Sequence, residues 1–322
     1  MRDIRTILSA GACVPLAMLL TVSVFVSSAS AQGFVPGTGY RVKGAGDDFE
    51  DTKWTFMHNF PKSSRETDQQ VREPYGMSAN QRWFESPKRG QPDQLLRVTP
   101  PKGGILGSTG ALKMRTLNSY IPGRVTGKSA QDDLLFDVGS AIGGTIPVRK
   151  NPSVVVRVYL PPFEKWENCT ATSFGFRSAV MSSATQTKRS LFGSKRYKKR
   201  EIYFPGIFIQ FNSKGHRGAA VDSASFILRG NDYNVDYMVR EIKQTGWWTL
   251  GMSFTSDGRC HYYASPGIDK LTRKDHMASH FPQSVHCEQF HTYFFNVCNS
   301  QDGQKWSTDW IIDDPALYVV RK

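Results

Sequence analysis

Hydrophobic and polar positions alternate with period two along most of this chain, and no long stretch carries the helical period. The clearest case is 153–160, where Val154, Val156, Val158 and Leu160 fall on one face and Arg157 on the other. Runs of the same kind predict strands at 54–56, 95–99, 111–116, 172–181, 202–212, 224–229 and 235–242. Two aromatic-rich segments, 246–263 (GWWTLGMSFTSDGRCHYY) and 290–320 (FHTYFFNVCNSQDGQKWSTDWIIDDPALYVV), each carry an Asp-Gly turn signal. A brief helix is predicted over Asp275–His280, and the proline-punctuated stretch 60–94 reads as a long loop. The pattern predicts an all-β chain, a two-sheet antiparallel β-sandwich with long loops.

Asp257-Gly258 sets a register if it forms a two-residue primed turn, because Ser256 then faces Arg259. Trp248, Leu250, Met252 and Phe254 then share a core-facing side with His261 and Tyr263. Trp247, Ser253, Thr255, Cys260 and Tyr262 take the outer side. That leaves Trp247 and Tyr262 as platforms on which a sugar ring could stack.

The N-terminus does not fit the strand pattern. Arg2 and Arg5 precede an apolar stretch from Val14 to Val26, and Ala29-Ser30-Ala31 closes it with the small-x-small pattern of a signal-peptidase site. The 13 residues of that stretch fall short of the roughly 20 that span a bilayer. Residues 1–31 are therefore expected to be a cleaved export signal, 32–46 a glycine-rich linker, and 47–322 the sandwich domain. Beyond Cys13 stand Cys169, Cys260, Cys287 and Cys298, an even number that suits one or two disulfides in an exported chain. No Cys-x-x-Cys pair supports a zinc site. Asn168-Cys169-Thr170 matches the glycosylation sequon.

Charge adds a partner class. The chain carries a formal +13, of which Arg2, Asp3 and Arg5 account for one. Lys188, Arg189, Lys195, Arg196, Lys198, Lys199 and Arg200 lie within thirteen residues that hold no acid. This reads either as a solvated loop inserted at about 184–201 or as a docking patch for an anionic partner.

Asp48-Phe49-Glu50-Asp51, the Gly-Trp-Trp strand with its hairpin, and Trp310-Ile311-Ile312-Asp313-Asp314 resemble exported bacterial proteins of the concanavalin A-like lectin/glucanase superfamily. The resemblance covers most of 47–320. It implies a jelly roll whose first and last strands lie close together, a concave face that often binds glycan, and frequently a structural calcium. On that basis Asp48, Glu50 and Asp313 are the expected calcium ligands, with Asp47, Asp51 and Asp314 beside them. No other cofactor is called for.

Catalytic patterns are incomplete. Glycoside hydrolysis needs two carboxylates flanking the bond. The superfamily's Glu-x-Asp-x-x-Glu strand is absent, which leaves Glu164 with Glu167, or Glu201 with Glu241. Tyr203-Phe204-Pro205-Gly206-Ile207-Phe208-Ile209-Gln210 resembles the Tyr-Phe-Lys-x-Gly-x-Tyr-x-Gln strand of jelly-roll alginate lyases, without its lysine and with Phe208 in place of the acid/base tyrosine. Arg177-Ser178 matches only the start of that family's arginine motif, and Gln289-Phe290-His291 follows the strand it should precede. His276, His280, His286 and His291 gather near Cys287 and Glu288, but Met277 stands where a His-Glu-x-x-His motif needs glutamate.

The sequence thus predicts an exported, monomeric glycan-binding protein, non-catalytic, favouring acidic polysaccharide over nucleic acid. Trp247, Tyr262, Phe208, Gln210 and Tyr203 are the expected glycan contacts, and Lys195, Arg196, Lys198, Lys199 and Arg200 the anionic-partner patch. The alternatives are a polysaccharide lyase or glycoside hydrolase with a divergent site, and a structural or adhesive envelope protein.

Overall fold

The computed structural model describes residues 34–119, 121, 123–190 and 193–320, with the backbone alone at 184–190, 193 and 195. The expected export signal lies outside the described residues. The strands begin with β1 (Tyr40–Gly46), β2 (Phe56–Met57), β3 (Met77–Ser78), β4 (Trp83–Glu85), β5 (Gln94–Val98) and β6 (Ala111–Arg115). They continue with β7 (Ala130–Phe136), β8 (Ile146–Pro147), β9 (Ser153–Leu160), β10 (Ala171–Ser190), β11 (Gly193–Tyr203) and β12 (Gly206–Asn212). The last are β13 (Ser223–Leu228), β14 (Tyr237–Ile242), β15 (Gly246–Phe254), β16 (Cys260–Pro266), β17 (His276–His280), β18 (Gln289–Asn299) and β19 (Trp310–Val319).

Sheet A has the order β17-β16-β15-β9-β19-β6-β5, with β1 taking over from β6 along one edge of β19. Sheet B has the order β14-β13-β12-β10-β18-β7-β4-β3-β2. Within it β11 continues along the β10 edge past β12, and β8 along the β18 edge past β7. All these pairs are antiparallel. The chain passes repeatedly from one sheet to the other and closes β1 against β19, which makes the sandwich a jelly roll, as the resemblance implied.

Alternate residues of both sheets fill the space between them. Val154, Val156, Val158, Leu160, Trp248, Leu250, Met252 and Phe254 from sheet A meet Phe174, Phe176, Ile207, Ile209, Phe211 and Phe295 from sheet B. An aromatic seam runs through this core, with ring centroids 4.9 Å apart for Trp83 and Phe136, 4.8 Å for Phe136 and Tyr293, and 4.8 Å for Phe174 and Trp310. Such pairs add roughly 0.5–1.5 kcal/mol each beyond the area they bury.

Several sequence expectations require correction. The expected linker 32–46 contains β1, and its glycines are there for close approach. A Cβ on Gly39 would lie 2.4 Å from the Val319 carbonyl oxygen, and one on Gly46 2.5 Å from that of Pro315. The expected loop 60–94 is organised by buried polar groups: Glu85 accepts from Asn59 Nδ2 at 2.8 Å, from the Gly76 amide at 3.0 Å and from the Ser63 amide. The expected helix at 275–280 is an edge strand, because β16 offers it a row of backbone partners that a five-residue helix would lack.

The β15–β16 hairpin differs from prediction by one residue. Thr255 N donates to Arg259 O at 3.1 Å, and Gly258 N to Thr255 O at 2.8 Å, with Gly258 at φ +86°. The connection is a three-residue turn ending in a left-handed glycine, not a two-residue primed turn. Phe254 therefore pairs with Cys260 and Met252 with Tyr262. Every side chain of β16 changes face, so Cys260, Tyr262 and Ala264 enter the core.

The basic run is not a loop. From Val180↔Tyr203 to Ser190↔Gly193 it forms a continuous β-ribbon that extends beyond the end of β18, which stops pairing at Met181. The register explains why like charges did not prevent pairing. Arg200, Lys199, Lys198 and Arg196 stand opposite Ser183, Ala184, Thr185 and Thr187, and only Lys188 and Lys195 oppose each other.

Candidate functional site

The side of sheet B turned away from the core is assembled in rows, because antiparallel register sets residues of neighbouring strands side by side. One row runs Asp133, Asn296, Gly175, Phe208 and Ile227 across β7, β18, β10, β12 and β13. The next runs Leu135, Phe294, Arg177 and Gly206, with Arg229 bonded to Gly206 beyond. On the other flank Gln131 pairs with Cys298, and Gln210 with both Thr172 and Ser225.

Two glycines let long side chains lie flat in this array. A Cβ on Gly175 would sit 2.6 Å from Asn296 Oδ1 and 2.8 Å from the Phe208 ring, and one on Gly206 would sit 2.5 Å from Arg177 Cγ. The Phe208 ring thus rests over Gly175, and the stem of Arg177 over Gly206.

Arg177 is the centre of the arrangement. Its guanidinium lies 5.1 Å from the Phe294 ring and 5.4 Å from those of Phe204 and Phe208, and Nη2 donates to the Phe204 carbonyl at 3.0 Å. Its buried Nε has no partner among the described residues. Burial pulls its pKa down to about 10 against the opposing pull of Asp133, so the group stays charged at neutral pH. Asp133 Oδ1 accepts from Asn296 Nδ2 at 2.6 Å and Gln131 Nε2 at 2.7 Å, and burial raises its pKa against the lowering effect of Arg89 and Arg177.

These residues border a groove with two continuous halves. The first, about 280 Å³, is lined by Glu66, Lys88, Arg89, Arg177, Phe204 and Phe294 among others. The second, about 360 Å³, is lined by Gln131, Phe208, Gln210, Asp236 and Met238 among others. Arg89 and Arg229 border both. Each is held by an acid: Arg89 Nη2 lies 2.9 Å from Glu66 Oε1, and Arg229 Nη1 3.0 Å from Asp236 Oδ2. Both pairs are partly exposed, so water screens them and a ligand carboxylate can compete for the guanidinium.

The structure distributes the expected glycan contacts over different places. Phe208 and Gln210 lie in the groove. Tyr203 pairs with Val180 and packs at the rim of the core instead. Tyr262 is fully buried and stacks on His280 with centroids 4.9 Å apart, a consequence of the altered hairpin register. Trp247 keeps the predicted outer side but is 5% exposed, with Nε1 bonded to the Pro101 carbonyl at 3.1 Å under the loop between β5 and β6. Arg196, Lys198, Lys199 and Arg200 lie exposed on the ribbon.

The expected disulfides are not formed. Cys169, Cys260, Cys287 and Cys298 are free thiols. Cys260 points into the core from sheet A while Cys298 faces the groove on the far side of sheet B, so strand direction keeps that pair apart. Both carboxylate oxygens of Glu50, and one each of Asp48 and Asp313, accept from protein donors. Glu50 accepts from the Thr109 amide at 3.0 Å, Asp313 from Ser108 Oγ at 3.0 Å, and Asp48 from the Glu50 amide at 3.3 Å. A calcium ion takes six to eight oxygens turned toward it. Among the described residues no group of three or more His, Cys, Asp or Glu side chains is disposed to hold a metal. Of the late histidines, His276 bonds Ser279 at 2.7 Å, which in turn joins His261 at 2.6 Å, and His261 reaches Thr255 at 2.7 Å.

Sequence reasoning missed Arg89, Asp133, Arg229 and Asn296. The available signal was Asp132-Asp133 beside Leu134-Leu135: in a strand, adjacent acids must face opposite sides, so one of them enters the core.

No protein-family model matches this chain, and no curated protein is detectably similar to it in sequence. Among solved structures, an alginate lyase from Pseudomonas aeruginosa is similar at 8% identity and a TM-score of 0.34, over 66% of this chain and 83% of that one. An endo-β-1,4-glucuronan lyase from Trichoderma reesei is similar at 12% identity and 0.34, over 70% and 86%. Peanut lectin is similar at 10% and 0.35, over 71% and 100%. Likeness at this level has no bearing on function, and the jelly roll stands on the strand pairings themselves.

Proposed function

We propose that this protein binds an acidic polysaccharide along the groove of sheet B and does not cleave it. The observation that supports this reading is Arg177, a guanidinium held among three phenylalanine rings between Arg89 and Arg229. Planar guanidinium groups match carboxylates in a way that ammonium groups do not, and Phe204, the half-buried ring of the three, offers apolar surface to the face of a sugar ring while the buried Phe208 and Phe294 hold Arg177. Gln131 and Gln210 supply neutral donors and acceptors of the kind that hydroxyl groups require. Export, which the N-terminal pattern leads us to expect, would bring such a polymer within reach.

The binding reading is preferred to cleavage because the acids in the groove are already engaged. Glu66 is gripped by Arg89, and Asp133 is held by two amides. A base in elimination needs a free lone pair aimed at the sugar.

Affinity electrophoresis in gels containing alginate, polygalacturonate or neutral glucan tests the proposal. The uronate polymers should retard the protein and the glucan should not. Arg89→Gln with Arg229→Gln should weaken retardation by roughly 10–100-fold per charge-assisted contact removed. Equal migration in all three gels would sink the reading. Growth of unsaturated product at 235 nm on incubation with either uronate would replace it with a lyase.

A further inference from the structure

Away from the groove, the core holds a lysine. Lys62, in the segment between β2 and β3, has a fully buried side chain and reaches Asp132 on the inward face of β7. Its Nζ lies 2.5 Å from Asp132 Oδ2, 2.9 Å from Asp93 Oδ1 and 3.2 Å from the Gln91 carbonyl. The turn at Gly90 closes over the lysine stem so tightly that a Cβ there would lie 2.6 Å from Lys62 Cδ.

The two carboxyls are not equivalent. Asp93 is anchored by the Leu117 and Asn118 amides at 2.7 Å each and by Thr116 Oγ1 at 3.0 Å. These bonds and Lys62 hold its pKa below the usual carboxylate range against burial. Among the described residues Asp132 has no amide support: besides Lys62, its Oδ2 meets only the Thr116 hydroxyl, which lies between it and Asp93. Its Oδ1 is buried without a partner among the described residues, and burial pushes its pKa up to about 8 despite Lys62. An ion pair that leaves one carboxylate oxygen unsatisfied in the core is a poor way to bury a charge.

We propose that Lys62 and Asp132 are joined by an intramolecular isopeptide bond formed after folding. A 2.5 Å contact from Nζ to one carboxyl oxygen places the carboxyl carbon, one bond further on, within roughly the 3–3.5 Å of a near-attack geometry. Asp93 takes a proton from the Lys62 ammonium, and the freed amine attacks Cγ of the protonated Asp132. The tetrahedral centre expels one oxygen as water, whose second proton comes from the attacking nitrogen, and Asp93 keeps the proton it took. The Nζ–Cγ bond forms, one C–O bond breaks, and one water is released. No oxidant, cofactor or external nucleophile is required. Exclusion of water from the site favours condensation over its reversal.

Intact mass spectrometry of the denatured mature protein is the test. The chain should be lighter than its sequence by the mass of one water. Fragmentation of a tryptic digest should yield a branched peptide joining the segments that contain Lys62 and Asp132, uncut after Lys62. Asp93→Asn should leave those segments as two linear peptides in most molecules while circular dichroism shows the same β content. Full sequence mass with cleavage after Lys62 in the wild-type protein would overturn the proposal, whatever the variant does.

Discussion

Asp313 shows what a single burial does to a single charge. It is enclosed where β19 meets the loop before β6, and burial raises its pKa to about 7, opposed by the Ser108 hydrogen bond and reinforced by Asp314 and Glu50. The folded state therefore holds a proton more tightly than the unfolded chain, whose aspartate titrates near its ordinary 3.8. The stability linked to that proton is complete below the unfolded value and is lost as pH rises through about 7. Allowing for solvent at the rim, the loss is ~2 kcal/mol between pH 5 and 8. Asp313→Asn keeps the Ser108 contact and removes the charge. It should raise the melting temperature at pH 8 by a few degrees and leave it nearly unchanged at pH 5. Equal differential-scanning shifts at both pH values would show that the carboxyl is solvated. Arg177 gives the complementary lesson, since its place in a strand was legible in the sequence but its aromatic surroundings were not. Phe204 comes from the β11–β12 turn and Phe294 from β18, and only register brings them together.

At the scale of an element, one residue in a turn decided the fate of a strand. The alternation in β15 was readable, and its core residues follow it. The face of β16 depended on whether Asp257-Gly258 closed a loop of two or three residues, and the two loops differ by little in local energy. Packing made the choice: the observed register buries Cys260, Tyr262 and Ala264. Gly258 is the residue on which that loop rests. Its φ of +86° excludes most side chains, and a Cβ there would lie 2.8 Å from His286 Cβ and 3.0 Å from Cys287 N. Gly258→Ala should cost about 2–3 kcal/mol, read as a lower urea midpoint with unchanged slope. A change below ~0.5 kcal/mol would mean that the backbone relaxes freely there. β7 escaped notice for another reason. Its two acids broke the apolar alternation, although both turned out to be buried, each with its own partners.

The whole molecule was legible in its layers and not in its chemistry. Period two predicted two sheets, because alternation is a local pattern. The groove and the buried lysine draw on segments far apart in sequence, such as Lys62 with Asp132, or Arg89 with Arg229, and no local pattern reports such meetings. One feature bears on how copies of the protein behave in solution. Past Ser183, whose amide is taken by Glu288, the β10–β11 ribbon has no further strand partner among the described residues, so its outer backbone edges lie open. An open row is a template for another chain, and a dense run of like charge keeps such templates apart. Replacing Arg196, Lys198, Lys199 and Arg200 by glutamine should therefore make dilute protein self-associate, with a rising radius in dynamic light scattering. A constant radius would mean that the edges are guarded in some other way. By the same reasoning a polyanion that covers the arm also discharges it, so a sparse coat of polymer would act as a crosslinker and a saturating coat as a dispersant. The ribbon would set the colloidal state of a protein–polymer mixture through stoichiometry alone.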